Sequence, residues 1–365
     1  MITITKESKL LKACILFAVC LDQYWASRGW RMTKRLLVTG GMGFIGSNFI
    51  RYMLEARSDV SIINLDRLSY GSNPANLRDI PEGSTYRFAK GDINEFDAVL
   101  TLTRDIAAVV NFAAETHVDR SISNPRSFFE ANTEGVLNLL EACRLHDMMF
   151  LQVSTDEVYG AARELQAFAE NDRLDPSSPY AASKAAADLL VNAYHKTYGL
   201  RVFVTRCTNN FGPYQFPEKL LPKIVIRSRL GLSVPVYGSG LQVRDWIHVR
   251  DHCEALDLVL KKGRPGEIYN VAGGNQVTNV QLVEKILQIM GKPMSLIEIV
   301  EDRPGHDFRY SLDATKVTGE LGWKPKRTFE QALKETVEWY LQNDEWWRPL
   351  IDERILSPTP WKESW

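Results

Sequence analysis

Short runs of apolar residues alternate with longer segments of helical periodicity from residue 35 onward. Apolar runs that end in glycine or polar residues are typical of strands buried in a parallel sheet. We predict five such strands, at residues 36–39, 60–65, 86–89, 109–114 and 150–153, with helices at 47–56 and 128–146. Strands that alternate with helices through right-handed crossovers predict an α/β fold with a doubly wound parallel sheet.

A glycine-rich turn joins the first predicted strand to the first predicted helix. It satisfies Gly-x-x-Gly-x-x-Gly through Gly40, Gly43 and Gly46, and Gly-x-Gly-x-x-Gly through Gly41, Gly43 and Gly46. Without Cβ atoms the backbone can turn tightly and approach a pyrophosphate, while the helix N-terminus offers free N–H groups. The position of the turn between a strand and a helix therefore predicts a dinucleotide site in a Rossmann-type sheet.

An acidic residue, Asp66, ends the second predicted strand. A carboxylate at this place would accept hydrogen bonds from the adenosine ribose hydroxyls and would repel a 2′-phosphate. This pattern favours NAD over NADP, although the neighbouring Arg67 weakens the preference.

The ends of the next two strands also suit a cofactor. Asp92 and Ile93 follow the third strand and could frame an adenine. Ala113 and Ala114 end the fourth strand with small side chains, against which a flat ring could lie.

Tyr180 and Lys184 are separated by three residues in an alanine-rich, helix-favouring segment. They should therefore lie one turn apart on the same helix face. An ammonium beside the phenol would lower the tyrosine pKa from about 10 toward neutrality. Such a tyrosine is a general base for a hydroxyl proton, the step that accompanies hydride removal from a carbinol carbon. The same spacing also occurs by chance in many helices.

Two neighbouring carboxylates, Asp156 and Glu157, follow the fifth predicted strand. Open α/β folds bind their ligands at the carboxyl ends of the strands. Different surroundings at this edge could hold one carboxyl group as an acid and the other as a base. The alternative is that Asp156 caps a turn and Glu157 is solvated.

The composition is that of an ordinary globular protein, with 365 residues, 45% hydrophobic and 24% charged. A net charge of −1 gives no electrostatic indication of a nucleic-acid or membrane partner. The five cysteines form no metal-type pair, so we expect no metal site and a reducing, cytoplasmic location.

The first 31 residues include an apolar run at 10–21 that follows Lys6 and Lys9. The run is shorter than the roughly 20 residues that span a bilayer. It could belong to a signal peptide, or to an extension without a catalytic role upstream of Met32. We expect the extension, because a dinucleotide-dependent enzyme finds its cofactor inside the cell.

Four motifs in this order resemble the extended short-chain dehydrogenase/reductases, and among them the dTDP-glucose 4,6-dehydratases. They are residues 39–46, residues 113–121, Thr155-Asp156-Glu157-Val158-Tyr159-Gly160, and Tyr180-x-x-x-Lys184. The resemblance runs from about residue 32 to residue 340. The Thr-Asp-Glu triplet distinguishes this group from related epimerases, which typically carry a serine-rich segment there.

The resemblance implies a reaction. NAD would accept the C4 hydride of dTDP-glucose while Tyr180, assisted by Lys184, takes the proton of the 4-hydroxyl. Glu157 would then remove the C5 proton, Asp156 would protonate the departing C6 hydroxyl, and Thr155 would hold the 4-oxygen. Return of the hydride to C6 would give a 4-keto-6-deoxy sugar and water.

The resemblance also implies two sets of binding residues. The cofactor set is Gly40, Gly43, Phe44, Ile45, Gly46, Asp66, Arg67, Leu68, Ser69, Asp92, Ile93, Ala113, Ala114, Ala131, Tyr180, Lys184 and Asn210. The substrate set is Thr116, Thr155, Asn209, Lys219, Leu220, Val236, Tyr237, Arg244, Asn270, Asp302, Arg303 and His306.

One alanine and two arginines stand apart within these sets. Ala131 replaces the threonine usual in the family, which removes one hydroxyl near the cofactor. Arg244 should pair with a phosphate oxygen through its guanidinium fork, and the alternative for Arg244 and Arg303 is a surface ion pair.

The expected organisation is a NAD-binding domain at 32–212, to which residues of about 236–275 return. A smaller α/β domain at 213–345 would hold the nucleotide sugar, followed by a tryptophan-rich tail at 346–365 that packs on the body or on a second subunit. The resemblance implies a homodimer through the helices after Phe128 and after Tyr180, although core packing would produce the same apolar positions.

Three alternatives remain open at this point. A dehydratase acting on another nucleotide sugar, such as UDP-glucose, would differ only in pocket details. A 4-epimerase would oxidise C4 but would not need the pair Asp156 and Glu157. A NAD-binding sensor without activity would not need to retain all the proton-transfer groups.

Overall fold

The computed structural model describes residues 34–363, so the expectations for residues 1–31 lie outside the described part of the chain. The strands are β1 Lys34–Thr39, β2 Val60–Asp66, β3 Tyr86–Lys90, β4 Ala108–Asn111, β5 Met149–Thr155, β6 Val202–Cys207, β7 Asn209–Phe211, β8 Val234–Tyr237, β9 Val243–His248, β10 Ile268–Val271, β11 Gln276–Thr278 and β12 Ile297–Val300. The helices are α1 Phe44–Ala56, α2 Phe96–Leu102, α3 Val118–Ser123, α4 Pro125–Phe129, α5 Gly135–His146, α6 Pro179–Tyr198, α7 Leu220–Arg229, α8 Val249–Lys262, α9 Asn279–Ile289, α10 Thr315–Leu321, α11 Phe329–Gln342 and α12 Asp344–Trp347.

Seven parallel strands form the central sheet, in the order β3-β2-β1-β4-β5-β6-β10. Apolar side chains cover both faces, with one buried cluster against α1 and α8 and another against α5 and α6. The strand order reverses between β1 and β4, the place where open α/β sheets bind ligands. The predicted doubly wound parallel sheet is therefore confirmed.

The chain after β6 builds a second layer of structure beside the sheet. A three-stranded sheet, β11-β9-β7, and a two-stranded sheet, β12-β8, pack with α7, α9 and α11 around a third buried cluster. Strand β10 returns to the central sheet beside β6. The carboxyl end of the central sheet therefore faces side chains from the second half of the chain.

Most predicted elements shift at their ends by one to three residues, and two differences lie close to the site. The fourth strand ends at Asn111 rather than at residue 114. The long helix predicted at 128–146 is interrupted by a π-helical turn, Glu130–Glu134. Within that turn the Asn132 side chain accepts a hydrogen bond from the Glu115 N–H at 2.8 Å and donates to its carbonyl at 3.0 Å. This contact between distant segments explains why periodicity alone predicted one continuous helix.

The tail after α11 packs on the body of the same chain. Trp347 is buried, and the Trp346 indole N–H donates to Asn76 Oδ1 at 2.9 Å. Trp361 contacts the ring of Tyr237. No helix within residues 34–363 is long and apolar enough to cross a membrane.

Candidate active site

Two adjoining cavities open at the carboxyl ends of the central strands. The larger cavity has a volume of about 280 Å³ and the smaller cavity about 190 Å³. Their walls share six residues, which are Thr116, His117, Glu157, Asn209, Glu218 and Lys219. A molecule in one cavity would therefore meet a molecule in the other along this common wall.

The glycine-rich turn forms the floor of the larger cavity. Gly40 has φ +68°, and a Cβ atom there would lie 2.6 Å from the Ala113 nitrogen. A Cβ on Gly46 would collide with the Gly40 carbonyl oxygen. Helix α1 begins at Phe44 without a side-chain cap, so its first N–H groups can bind an anion. These features fit the pyrophosphate of a dinucleotide.

The carboxylate of Asp66 braces the turn as well as lining the larger cavity. It accepts hydrogen bonds from the Met42 N–H at 2.9 Å, the Leu68 N–H at 2.8 Å and the Ser72 hydroxyl at 2.9 Å. Asp66 is buried, with 5% of its surface exposed. Its position at the end of β2 fits a ribose contact.

The charge of Arg67 is neutralised by two carboxylates. Its guanidinium binds Asp92 at 3.1 Å and Glu115 at 2.8 Å. A guanidinium that is held in this way is less available for a 2′-phosphate. Arg67 therefore weakens the preference for NAD over NADP less than its place in the sequence suggests.

Tyr180 and Lys184 lie on the first turns of α6 and both line the larger cavity. The Lys184 ammonium donates to the Val153 carbonyl at 2.7 Å. Burial lowers the pKa of Lys184 to about 8. Burial also raises the pKa of Tyr180 well above its ordinary value, and nearby Glu157 adds to this increase. The predicted lowering of the tyrosine pKa is therefore wrong for the residues of the chain alone, in which burial and a neighbouring carboxylate raise the pKa instead.

The surroundings of Asp156 favour its protonated form. Its exposed fraction is 4%, and burial raises its pKa well above the ordinary value, with nearby Glu157 the next cause. Oxygen Oδ1 accepts from the Thr155 hydroxyl at 3.1 Å, whereas Oδ2 has no hydrogen-bond partner among the described residues. Thr155, rather than Asp156, caps the following turn, since its hydroxyl accepts from the Glu157 N–H at 3.3 Å. The capping alternative for Asp156 is therefore wrong.

Glu157 lines both cavities and has more polar surroundings. Burial raises its pKa, but the positive charges of Arg303, Arg244 and Lys219 oppose the increase. The Tyr310 hydroxyl lies 3.5 Å from Glu157 Oε2. The two adjacent carboxyl groups are thus in different environments, as an acid and base pair requires.

The smaller cavity is lined by four cationic side chains and by three carboxylates, namely Lys219, Lys223, Arg244, Arg303, Asp119, Glu157 and Glu218. The Arg244 guanidinium stacks on Tyr310 at 4.3 Å and donates to the Asp307 carbonyl at 2.9 Å. Arg303 pairs with Asp119 at 2.7 Å. Both arginines are largely buried, so the alternative of surface ion pairs is wrong for these residues. Lys219 donates to the Thr116 carbonyl at 2.8 Å, on the wall shared by the cavities.

The structure brings most of the predicted binding residues to one of the two cavities. Leu68, Asn270 and Asp302 are the exceptions. Asn270 is fully buried, with its amide bound to the Tyr159 hydroxyl at 3.0 Å and the Phe168 carbonyl at 2.8 Å. Asp302 instead contacts His306 at 2.6 Å, and the Leu68 side chain packs against the core beside the sheet.

Sequence reasoning missed several residues of the smaller cavity, of which Asn279 is the clearest. It is the first residue of α9, and its Oδ1 is buried without a hydrogen-bond partner among residues 34–363. The capping box formed by Thr278 and Gln281 was the available signal, because it fixes the start of the helix. Tyr310, Glu218 and Lys223 line the same cavity.

Comparison with known proteins gives the same result as the geometry. A family model described as GDP-mannose 4,6 dehydratase matches residues 37–336. A dTDP-glucose 4,6-dehydratase of Streptomyces niveus is 50% identical over 331 residues, which are 89% of this chain and 98% of that protein. The structure of DesIV, a dTDP-glucose 4,6-dehydratase from Streptomyces venezuelae with NAD and TYD bound, has 46% identity and a TM-score of 0.85, covering 87% of this chain and 100% of that one.

A more distant structure is a UDP-glucose 4-epimerase from Thermus thermophilus in complex with NAD. It has 32% identity and a TM-score of 0.78, covering 85% of this chain and 99% of that one. Fold and site thus define a short-chain dehydrogenase/reductase of the extended type. Within that class, the chain belongs to the family of the GDP-mannose 4,6 dehydratase model, and the resemblance to the dTDP-glucose 4,6-dehydratases is confirmed.

Proposed function

We propose that this chain is a NAD-dependent dTDP-glucose 4,6-dehydratase, which converts dTDP-glucose into dTDP-4-keto-6-deoxyglucose and water. The observation that carries this proposal is the pair Asp156 and Glu157 in unlike environments at the junction of two cavities. Relatives at about half identity over most of the chain carry the same activity in their names.

The larger cavity would hold NAD, which supplies a hydride acceptor at C4 and a hydride donor at C6 when bound. Gly40, Gly43 and Gly46 would admit its pyrophosphate, and Asp66 would bind the adenosine ribose. The smaller cavity would hold the nucleotide half of the substrate. Its buried cations, Arg244 and Arg303, suit a diphosphate.

Each proton transfer has a suitable group beside the shared wall. Tyr180 would accept the proton of the 4-hydroxyl as a phenolate. Burial disfavours that form in the chain alone, whereas the Lys184 ammonium and the positive charge of bound NAD would favour it. The Thr155 hydroxyl binds the resulting 4-oxygen. The 4-ketone acidifies C5, so Glu157 can take the C5 proton. Asp156 gives its proton to the C6 hydroxyl, which leaves as water, and Glu157 returns a proton to C5. Tyr180 then holds one proton more and Asp156 one fewer than at the start, and exchange with solvent restores both.

The different environments of Asp156 and Glu157 support these roles. Asp156 has its proton because burial disfavours the carboxylate. Glu157 faces three cationic side chains, which favour the carboxylate and hence the basic form. A 4-epimerase would not use this division between an acid and a base, because no hydroxyl leaves during epimerisation.

The test is mass spectrometry of the product after incubation of the purified protein with dTDP-glucose and, separately, UDP-glucose. We expect loss of one water from dTDP-glucose. Loss from UDP-glucose alone would move the assignment to another nucleotide sugar. A product of unchanged mass and inverted C4 would identify an epimerase, and an unchanged substrate would contradict both enzymes.

We also propose a cytoplasmic homodimer that forms through α4, α5 and α6. These helices leave large apolar side chains at the surface, with exposed fractions of 40% for Phe129, 40% for Leu137 and 61% for Leu189. Light scattering should give twice the chain mass. Replacement of Leu137 and Leu189 by Glu should shift the protein to monomers, and a wild-type monomer would refute the proposal.

A further inference from the structure

The C-terminal segment, residues 351–363, crosses the outer side of the smaller cavity. Lys223 lines that cavity from α7, and its ammonium donates to the Ser357 carbonyl at 3.2 Å. One turn further along α7, Arg227 donates to the Leu356 carbonyl. The segment is therefore attached to a helix that forms one wall of the cavity.

The end of the segment contacts two other walls. The turn Pro360–Lys362 packs against α3, which carries Asp119, the partner of Arg303. Lys362 pairs with Glu301, directly after β12. Trp361 lies within this turn and is not among the residues that line the cavity.

Trp361 packs edge to face against Tyr237. The ring centroids are 4.8 Å apart and the rings are inclined at 77°. Tyr237 is the last residue of β8 and lines the cavity, whereas Trp361 does not. His306 is a second aromatic neighbour of Tyr237, at 6.4 Å and therefore looser. Trp361 is thus the closer aromatic support of a ring that faces the substrate cavity.

We propose that Trp361 is a positioning residue for the nucleotide half of the substrate, acting through Tyr237. This inference rests on the proposed function, in which the smaller cavity holds the nucleotide. The residue after Tyr237 is Gly238, whose φ of +57° turns the backbone away from strand β8. Without Trp361 one face of the Tyr237 ring would lose its aromatic neighbour. Ordering that ring when the nucleotide binds would then cost conformational entropy. The C-terminal segment would then set nucleotide affinity without touching the reacting carbons.

The experiment compares Trp361→Ala with the wild-type enzyme. Because an edge-to-face aromatic pair contributes more than its buried area alone, we expect the KM for dTDP-glucose and the Kd for free dTDP to rise roughly two- to tenfold. The kcat and the Kd for NAD should stay within about twofold. Trp361→Phe should restore most of the affinity, because a ring still contacts Tyr237.

Two controls separate this role from simple anchoring of the tail. Lys362→Ala removes an ion pair in the same turn whose lysine is half exposed, and such exposed pairs contribute little, so the KM should change by less than about twofold. In a double-mutant cycle, Trp361→Ala should have almost no further effect on dTDP affinity in the Tyr237→Ala background. Additive effects in the cycle, or an unchanged KM in Trp361→Ala, would overturn the proposal.

The behaviour of the wild-type protein distinguishes a failure of this inference from a failure of the proposed function. Wild-type protein that dehydrates dTDP-glucose while Trp361→Ala binds dTDP normally would refute only the role of Trp361. Wild-type protein that neither binds dTDP nor turns over dTDP-glucose would refute the proposed function and, with it, this inference. Unfolding temperatures of the variants measure any loss of stability separately.

Discussion

The two cavities differ in the backbone and side-chain groups that line them. Glycine-rich backbone and small side chains at the ends of consecutive strands form the floor of the larger cavity, from the glycine-rich turn to Ala113 and Ala114, and larger polar and charged side chains surround them. The smaller cavity instead collects charged and aromatic side chains from segments that are far apart in the chain. Its cationic residues are Lys219, Lys223, Arg244 and Arg303.

This difference separates recognition by shape from recognition by charge. In the larger cavity glycines let the backbone approach the ligand. In the smaller cavity four cationic side chains can face the ligand, although three carboxylates, Asp119, Glu157 and Glu218, line the same cavity. The proton-transfer pair lies between them, and Asp156 faces only the larger cavity while Glu157 lines both. Variants at this junction should therefore have the largest effects.

Glu157→Gln should lower dehydration most, by about 10³-fold, since a positioned base contributes on the order of 10²–10⁴-fold. Glutamine keeps the size of the side chain but cannot accept the C5 proton. Oxidation at C4 should persist, so reduced cofactor should accumulate while exchange of C5 hydrogen with deuterated water disappears. Product formation at near the normal rate would rule out Glu157 as the base.

Asp156→Asn should lower dehydration less, by about 10²-fold, because solvent can partly replace the acid. Reduced cofactor should again accumulate, but here C5 exchange should continue. This split in the exchange measurement distinguishes the acid from the base. Loss of C5 exchange in Asp156→Asn would reverse the two assignments.

The same substitution should increase stability, in a manner that depends on pH. The folded-state pKa of Asp156 is raised, so its stabilising contribution is fully present below the unfolded-state pKa of about 4 and is lost as pH rises through the folded-state pKa. Asparagine does not titrate. The unfolding temperature of Asp156→Asn should therefore exceed that of the wild type by a margin that is near zero at pH 4 and grows toward pH 8. An equal margin at all pH values would contradict the raised pKa.

Gly40→Ala tests the larger cavity and should have a smaller effect, a loss of at least about tenfold in NAD affinity. The left-handed backbone costs alanine about 1–2 kcal/mol, and the new Cβ would press on Ala113. Gly199 is a matched control, with the same φ of +68° and, within residues 34–363, no neighbour within 4 Å of an added Cβ. Gly199→Ala should lose some stability and retain NAD affinity, whereas equal NAD affinities in both variants would show that shape at Gly40 is unimportant.

The contrast between the cavities also explains what the sequence could predict. The ends of parallel strands meet at one edge of a sheet, so residues after β1, β2 and β4 could be placed together from periodicity alone. The π-helical turn before Gly135 and the high pKa of Tyr180 could not be predicted in this way. The turn contains Asn132, which is hydrogen-bonded to a distant segment at Glu115, and the pKa is raised by burial. The spacing of residues along the chain carries no information about a distant hydrogen bond or about burial.

Asn270 and Asn279 show the same limit and give the smallest expected effect. Resemblance assigned the first to the substrate, but its amide is already satisfied by Tyr159 and Phe168 in the core. Asn279 lines the smaller cavity with an unsatisfied oxygen. Loss of one hydrogen bond costs about 0.5–1.5 kcal/mol, so Asn279→Ala should raise the KM for dTDP-glucose roughly two- to tenfold with little change in unfolding temperature. Asn270→Ala should do the reverse, lowering the unfolding temperature and leaving the KM near the wild-type value. If Asn270→Ala were the variant that raised the KM, the smaller cavity would not be where the nucleotide binds, and the division between a cavity of shape and a cavity of charge would fail.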